Sequence, residues 1–495
     1  GPVRTEAYLA LSEALEAFDS NVPIVVIDTF GTDLPESWHE GGMVINPDPI
    51  AIYAAFIDTD SVTGRAATTD EPDWAGRAGM GERGQSSSDM PKAPYKVETW
   101  NEDNEDQKTS LLGLPSDSDW VFHNAYTDKT FMRNALVSKW SSDMGHYAPR
   151  TKFFELFVNE NGGQIGGPAT GDYLGVYVLM EKIKRSKNRV DIEKLSPADN
   201  AEPEITGGYI IKHDKDRPED DFWTWAGRWY YVEPSHLEIT TPQKNYIENY
   251  IEEFETVLQG GSFADPVNGY AKYIDVESFI DHDLCMEITR DVDPYRFSTY
   301  VTKDRGGKLK MSPEWDYNWS LGNNDYSLWN LEYHHAVGWH FEEADQLAPT
   351  YNWHARLKND PEYLRKYSDR WFHLRETVLS DTTVVTTIDQ HATLLNAEAA
   401  ARNFARWDIL NTKLFGDIPN FYYGGGYGAS THTYLMQVEW MKNWLTGQGT
   451  QSGPEENFYY SSTYSDRLGW IDANMGRLTG AGAPPSLFLN GSPAD

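Results

Sequence analysis

The sequence predicts an α+β protein, with a mixed and mostly antiparallel sheet in its N-terminal half and mainly helices in its C-terminal half. Short apolar, β-branched runs of strand length recur up to about residue 212, which is the pattern of buried strands. From about residue 362, apolar residues recur three and four positions apart, which is the pattern of amphipathic helices. The 495 residues, of which 39% are hydrophobic, supply enough apolar surface for a large core.

Six runs of strand length predict the strands of the N-terminal half, some of them apolar throughout and residues 91–98 alternating like a half-buried strand. They are residues 24–30, 50–57, 77–83, 91–98, 153–158 and 173–180. A small polar turn over residues 84–88 joins the third run to the fourth, and the Gly-rich segment 161–171 joins the last two. A helix is also predicted over residues 130–140, with Asp128 as its cap and Gly145 beyond its end.

The pattern changes after Gly208. Residues 209–212 predict one more strand, and residues 297–311 predict a hairpin that turns at residues 305–307. The spacing of apolar residues predicts five helices, over residues 243–258, 275–290, 362–379, 387–408 and 434–446, with a Gly-rich linker at 422–428. We therefore divide the chain into a sheet-rich part, residues 1–206, and a mainly helical part, residues 207–495.

The composition excludes two classes of partner and favours export. Its 76 acidic and 42 basic residues give a formal net charge of −34, which repels nucleic acid and anionic membrane surfaces. No apolar run approaches the roughly 20 residues of a membrane span. The single cysteine, Cys285, excludes both an intrachain disulfide and a cysteine-based zinc site. Abundant Trp and Tyr and loops dense in Asn, Gly and Asp predict a secreted or cell-surface protein, although no signal peptide is visible in the sequence.

Asp316 is the residue that says most about chemistry. It lies between Trp315 and Tyr317, directly after an apolar run, where an isolated anion costs several kcal/mol. Such a carboxylate must be paired, protonated or bound to a metal ion, and we favour a metal ion. Asp293 precedes it by 23 residues, in a predicted turn, so we expect both carboxylates at one junction of sheet and helix. Phosphoryl transfer needs two such carboxylates, one for the nucleophile and one for Mg²⁺.

Positive charge for phosphate groups is available in the N-terminal half. The candidates are Arg83, Lys92, Lys96 and Lys182. They accompany the small polar turn that contains Gln85 and Ser86, whose backbone N–H groups could cradle anionic oxygens. The turn does not match the Walker pattern of phosphate-binding loops, so its signal is weak when taken alone.

Six sequence blocks occur in the order found in a known family. They are Gly84-Gln-Ser-Ser with Pro-Lys-Ala-Pro-Tyr-Lys96, Phe131-Met-Arg-Asn134, the block 173–183, Asn188-Arg-Val-Asp-Ile192, Gly207-Gly-Tyr-Ile210 and Trp315-Asp-Tyr-Asn318. Together they resemble the spore coat protein H (CotH) kinase family, over residues 24–323. The resemblance implies a bilobal, atypical protein-kinase-like fold in which both parts of the chain form one continuous catalytic unit.

The resemblance also implies roles for the acidic and polar candidates. Asp293 resembles the catalytic aspartate and Asp316 the metal-binding aspartate, with Asn318 as a neighbour of the metal ion. The family often has asparagine about five residues after the catalytic aspartate, where this chain has Ser298, whose hydroxyl is a poorer Mg²⁺ ligand. The implied cofactors are ATP and Mg²⁺, with Mn²⁺ or Ca²⁺ as alternative ions.

The phosphate-binding lysine is left open between two positions. Lys96 is the better candidate, with Glu181 as its acidic partner, but the sequence does not separate Lys96 from Lys92. Lys182 belongs to a basic run at the end of a predicted strand, which would be either a solvated strand end or an anion-binding group.

The predicted function is ATP- and Mg²⁺-dependent phosphorylation of Ser or Thr in a secreted or surface protein. One alternative keeps the fold and transfers AMP, or ligates amino acids such as glutamate, to protein. Another is a catalytically inactive pseudokinase or glycan-binding scaffold. A glycoside hydrolase is the most distant alternative, because it would use paired carboxylates but would not explain the six ordered blocks.

Overall fold

A computed structural model describes most of the chain. The described residues are 8–215, 221–293, 295, 297–323, 335–342, 353–412, 414, 433–448 and 465–478. The Gly-rich linker predicted at residues 422–428 lies outside them. Within the described ranges, no helix is both long enough and apolar enough to cross a membrane.

A closed barrel of seven strands forms the N-terminal part of the fold. The strands of this part are β1 (Asp19–Ser20), β2 (Ile24–Asp28), β3 (Trp38–Glu40), β4 (Met43–Ile45), β5 (Ile50–Ile57), β6 (Ala66–Ala67), β7 (Trp74–Glu82), β8 (Tyr95–Thr99), β9 (Asp119–His123), β10 (Thr151–Asn159) and β11 (Tyr173–Glu181). The barrel order is β10-β11-β9-β8-β7-β5-β2, and its neighbours are antiparallel except β10 and β2. The prediction of a mixed, mostly antiparallel sheet is confirmed, and the closure of that sheet into a barrel is new.

A second, antiparallel sheet and a set of helices complete the described fold. The remaining strands are β12 (Tyr209–His213), β13 (Asp221–Thr224), β14 (Gly227–Glu233), β15 (Thr299–Lys303) and β16 (Leu309–Met311), in the order β13-β14-β12-β15-β16. The helices are α1 (Glu13–Glu16), α2 (Arg133–Asp143), α3 (Thr241–Gln259), α4 (Val276–Thr289), α5 (Trp353–Leu357), α6 (Pro361–Glu376), α7 (Asp381–Ala397), α8 (Ala399–Arg406), α9 (Tyr434–Thr446) and α10 (Arg467–Leu478). The α+β class is therefore confirmed, whereas the division at residue 206 stays a prediction.

Two helix predictions need correction. The helix predicted over residues 387–408 is two helices, α7 and α8, because Glu398 between them has a non-helical backbone and binds Arg65 and Arg402. The helix predicted over residues 130–140 begins later, at Arg133. The N-cap position is Met132, but Asp128 still caps the helix from outside it, because its carboxylate accepts the backbone N–H of Arg133 at 2.9 Å and also pairs with the Arg133 side chain.

Helix α4 crosses the core and leads directly to the turn that contains Asp293. The sequence pattern predicts one apolar face, but every residue from Ser278 to Thr289 is buried. The polar face is buried as well because later segments of the chain supply a cation for each of three carboxylates. The pairs are Asp281 with Arg370, Asp283 with Lys358, and Glu287 with Arg467. These pairs fix α4, and therefore the start of the Asp293 turn, against the C-terminal helices.

We expect Asp281→Asn to lower the free energy of unfolding by about 3–5 kcal/mol at pH 7, as for a broken buried ion pair. Arg370 Nε and Nη2 each donate to the Asp281 carboxylate at 2.7 Å, and His146 contacts it at 2.7 Å. Burial opposes ionisation, but His146 and Arg370 outweigh it and hold the pKa of Asp281 below its ordinary value of 3.8. The stability that the ionised Asp281 carboxylate contributes is therefore fully present above pH 3.8. It is lost as the pH falls through the lower pKa of the folded state.

Urea unfolding at pH 7 and pH 3 measures this difference. Asp369→Asn is the matched control, because Asp369 binds Arg365 on the exposed side of α6, where an ion pair contributes about 0–1 kcal/mol. Equal losses in the two variants at pH 7 would show that the buried pair does not fix α4. A loss for Asp281→Asn that does not shrink at pH 3 would contradict the lowered pKa.

Candidate active site

A cleft of about 510 Å³ lies between the barrel and the second sheet. Barrel strands β8 and β9 and the end of β11 form one wall. The end of β12, the turn after α4, and the segment after β16 form the other. The cleft therefore collects side chains that are far apart in sequence.

The cleft is lined by more cationic than anionic side chains, although the chain as a whole is acidic. Its cationic lining residues are Arg83, Lys96, Lys182, Lys212 and Lys215, and its anionic lining residues are Asp214, Asp293 and Asp316. These described residues carry more positive than negative charge, whereas the chain as a whole has a net charge of −34. A local positive surplus in an acidic protein favours an anionic ligand at this place.

Asp293 and Asp316 face the same cleft, as the sequence predicts. Helix α4 ends at Thr289, and the backbone N–H of Asp293 donates to the Asp291 carboxylate at 2.8 Å, which holds the turn closed. The backbone N–H of Leu321 donates to the Thr289 carbonyl at 2.8 Å. This bond joins the end of α4 to the segment that follows Asp316, so the two turns lie side by side.

Ser298 and Asp316 share a strained backbone conformation. Their φ angles are 54° and 71°, a left-handed conformation that costs a non-glycine residue about 1–2 kcal/mol. The Ser298 hydroxyl donates to Asp316 Oδ2 at 3.4 Å. Strain of this kind persists only where the surroundings enforce it, and it is concentrated at functional sites.

Asn134 on α2 holds the Asp316 turn in this conformation. Its side-chain oxygen accepts the backbone N–H of Tyr317 at 2.6 Å, and its amide nitrogen lies 3.1 Å from His123 Nε2. Burial lowers the pKa of His123 to about 4, so the imidazole is neutral and its Nε2 can accept this hydrogen bond. Asn134 thus connects the barrel wall of the cleft to the residue after Asp316.

The electrostatics show that the two aspartates interact. Burial raises the pKa of Asp316, and the charge of Asp293 raises it further, while Lys215 and Arg83 oppose both effects. Burial likewise opposes the charge of Lys215, but Asp293, Asp316 and Asp214 outweigh it and raise the pKa of Lys215. The Lys215 side chain therefore interacts electrostatically with both carboxylates.

Sequence reasoning missed Lys215 and its neighbour Asp214. Strand β12 pairs with β15 in antiparallel register, with His213 opposite Thr299, so the end of β12 lies beside the start of β15. This pairing places Lys215 Nζ 3.5 Å from Asp293 Oδ2. Charged residues directly after an apolar strand were the available signal, since the same pattern identified Asp316.

Lys96 and Lys182 line the barrel side of the cleft. Lys96 has no hydrogen-bond or ion-pair partner among the described residues, and burial lowers its pKa. Lys182 Nζ binds Asp119 Oδ1 at 2.8 Å. Lys96 is therefore the barrel lysine that is available to a ligand, while Lys182 is already paired.

The turn from Gly84 to Ser87 forms the rim of the cleft beside Arg83. Gly84 has a φ of 117°, and a Cβ atom there would lie 2.3 Å from Ser87 Oγ, so only glycine fits. The backbone N–H groups of Gln85, Ser86 and Ser87 find no acceptor within the described ranges, and these residues line the cleft. Unpaired N–H groups in a turn of this kind can bind anionic oxygens.

Two predicted cofactor-binding residues lie elsewhere. Lys92 is buried, and its ammonium group binds the Val176 carbonyl and Asn403 Oδ1. Burial holds the pKa of Lys92 well below its ordinary range, so this lysine is a packing residue between the barrel and α8. Glu181 is also buried, and its carboxylate binds the guanidinium groups of Arg150 and Arg189 and not Lys96.

Of the eleven predicted site residues, nine line the cleft. They are Arg83, Gln85, Ser86, Lys96, Lys182, Asp293, Ser298, Asp316 and Asn318. Asn318 lies behind Asp316, where its amide nitrogen is 3.4 Å from the Thr127 hydroxyl. These residues come from five separate segments of the chain, so their convergence is a property of the fold.

The structure is an α+β protein in which two aspartates, several cationic side chains and a turn with unpaired backbone N–H groups line one cleft. The family model described as CotH kinase protein matches residues 82–449, and the chain therefore belongs to the CotH kinase family. The match extends beyond residue 323, where the sequence resemblance ended, and membership places the chain among kinase-like proteins. A search of the curated proteins found no match.

Proposed function

We propose that this protein is an ATP- and Mg²⁺-dependent transferase that phosphorylates Ser or Thr side chains of a secreted or surface protein. In this proposal, the barrel and the helical part act as the two lobes of an atypical kinase. The observation that carries it is the convergence of nine predicted residues on one cleft.

The cationic wall supports the binding of a triphosphate. Arg83 and Lys96 face the cleft from the barrel side, next to the unpaired N–H groups of Gln85 and Ser86. Backbone N–H groups orient phosphate oxygens, and lysine and arginine supply the opposite charge. The adenosine moiety would lie deeper, where Val121, Trp315 and other apolar residues line the cleft.

The carboxylate of Asp316 fits a Mg²⁺ ion. Within the described ranges it receives a single hydrogen bond, the 3.4 Å bond from Ser298, although a partly buried anion needs a stronger partner. The same ranges contain no group of three or more acidic, His or Cys side chains that could hold a metal ion alone. Mg²⁺ in phosphate-handling sites takes one or two carboxylates and completes its shell with phosphate and water. We therefore propose that Mg²⁺ binds together with the nucleotide.

Each residue has a defined task in the proposed reaction. Asp293 accepts the proton of the acceptor hydroxyl, and Asp316, with Ser298 and Asn318 beside it, holds the ion. A bound Mg²⁺ neutralises charge on the phosphate oxygens. Lys96 and the turn at Gln85 fix the triphosphate, so that the γ-phosphorus faces the acceptor.

Ser298 favours a second candidate function, in which AMP or an amino acid is transferred in place of phosphate. A hydroxyl replaces the amide that would hold a second ion, and this could favour transfer of AMP or ligation of an amino acid. Intact-mass analysis after incubation with Mg-ATP and candidate acceptors separates the outcomes. A gained phosphate supports the proposal, whereas a gained AMP or glutamate would replace it. A chain that ignores Mg-ATP in calorimetry but binds polysaccharide would identify a scaffold.

The two candidate lysines give a matched test of the nucleotide site. We expect Lys96→Met to weaken Mg-ATP binding by roughly 10- to 100-fold, since hydrogen bonds to charged groups contribute about 1.5–3 kcal/mol. Lys92→Met removes a second amine from the same segment, but Lys92 faces Asn403 and not the cleft, so it should leave the affinity unchanged. Calorimetry measures both, and equal losses would contradict the assignment.

A further inference from the structure

We infer that Lys215 is a further catalytic residue, which binds the phosphoryl group during its transfer. This inference rests on the proposed function and adds a cation that neither the sequence motifs nor the family match assigns. Lys215 contacts the Asp293 carboxylate and lines the cleft that contains Asp316.

The contacts of Lys215 place it on the acceptor side of the site. Its Nζ atom lies 3.5 Å from Asp293 Oδ2, and its side chain lies over the Phe297 ring at 5.5 Å. The side chain retains 33% exposure, and that of Asp293 retains 15%, so the pair faces the open cleft. An ion pair that served only to hold the end of β12 would not need to include the candidate catalytic residue.

The neighbouring cations have contacts with groups other than Asp293. Lys212 binds Asp214 at 3.2 Å, and Lys182 binds Asp119 on the opposite wall. Arg83 lies 5.6 Å above the Trp315 ring, on the barrel side. Lys215, in contrast, contacts the Asp293 carboxylate directly.

The reaction needs a cation at this point. The acceptor oxygen forms a bond to the γ-phosphorus, and the bond from phosphorus to the β,γ-bridging oxygen breaks, with its electron pair leaving on ADP. The hydroxyl proton passes to the Asp293 carboxylate. Negative charge is spread over the phosphoryl oxygens during transfer, and an ammonium group beside Asp293 can donate hydrogen bonds to them. Lys215 keeps its proton throughout.

Lys215→Ala should lower kcat for ADP release by roughly 10²- to 10³-fold, the usual effect of removing one donor to a developing charge. Calorimetry with Mg²⁺ and a non-hydrolysable ATP analogue should show nearly unchanged binding. Lys215→Arg keeps the charge and should restore part of kcat. Lys139→Ala is the matched control, because Lys139 binds Asp143 at 2.8 Å on the exposed side of α2, away from the cleft, and should keep the wild-type rate.

The outcomes separate the inference from the proposal on which it rests. Wild-type protein that binds no Mg-ATP overturns both. Wild-type turnover with an unchanged kcat in Lys215→Ala overturns only the role of Lys215. A lower melting temperature with an unchanged kcat per nucleotide-binding molecule would show a structural ion pair. A fall in kcat with retained binding and partial rescue by Lys215→Arg supports the inference.

Discussion

Asp316→Asn is expected to abolish nucleotide turnover, with a loss of roughly 10³-fold or more, of the size found when a main charge-stabilising group of phosphoryl transfer is removed. The amide retains the shape of the side chain but loses the charge that would hold Mg²⁺. Asparagine also tolerates the left-handed backbone at this position, where φ is 71°, so it is a cleaner test than alanine. Turnover is measured as ADP release at saturating Mg-ATP.

The same substitution should not unfold the protein. Burial raises the pKa of Asp316 above its ordinary value of 3.8, with a further contribution from Asp293. The ionised carboxylate therefore destabilises the metal-free fold as the pH rises from 3.8 through the folded-state pKa, and asparagine removes this cost. At pH 7 without Mg²⁺, the free energy of unfolding of Asp316→Asn should equal or exceed that of the wild type.

Asp466→Asn is the matched control for Asp316→Asn. Asp466 also has a left-handed backbone, with a φ of 62°, and burial also raises its pKa, but it lies at the start of α10, away from the cleft. Its carboxylate accepts the backbone N–H of Gly469 at 3.0 Å, which asparagine can also do. Full turnover in Asp316→Asn, or an equal loss in Asp466→Asn, would contradict the metal-binding assignment.

Asp293→Asn should lower kcat by about 10²- to 10⁴-fold, the range for a positioned general base. The amide cannot accept the proton of the acceptor hydroxyl. Mg-ATP affinity should stay close to that of the wild type, because Asp293 faces the acceptor and Asp316 faces the ion in this account. Single-turnover kinetics at saturating Mg-ATP, with calorimetry for affinity, separates these two effects.

Asp265→Asn is the matched control for Asp293→Asn, because Asp265 is an aspartate that only stabilises a surface turn. The Asp265 carboxylate accepts the backbone N–H groups of Val267 and Asn268 on the surface, so the substitution tests turn chemistry without the cleft. If Asp293→Asn lowered Mg-ATP affinity as much as kcat, Asp293 would be a nucleotide ligand and not the base. If it changed neither quantity, Asp293 would be a turn residue alone.

The sequence predicts the local elements of the fold because their signals are local. The β-branched run at 24–30 forms β2, and the apolar spacing at 434–446 forms α9 with the same bounds. Closure of the barrel depends instead on the pairing of β2 with β10, where Ile24 lies opposite Glu155. Pairing over such a separation leaves no local pattern in the chain, so an open sheet and a barrel are not distinguished.

The candidate site could also be predicted only in part, because some of its signals are local and others depend on contacts between distant segments. Asp316 was identifiable because a carboxylate between two aromatic residues is costly to bury unless it has a function or a partner. Lys92 and Lys96 have the same chemistry and nearly the same neighbours in sequence. The contacts of Lys92 with Val176 and with Asn403, 311 residues later, show that Lys92 is a packing residue. Glu181 was assigned to Lys96, but Arg150 and Arg189 already neutralise it.

A crystal structure of the protein with Mg²⁺ and a non-hydrolysable ATP analogue tests the central claim most directly. The account predicts triphosphate oxygens against the turn at Gln85 and Ser86 and beside Lys96, with the ion bound to Asp316. It also predicts that the Asp293 carboxylate faces the γ-phosphate. A nucleotide bound outside this cleft, or a metal ion that does not touch Asp316, would contradict it.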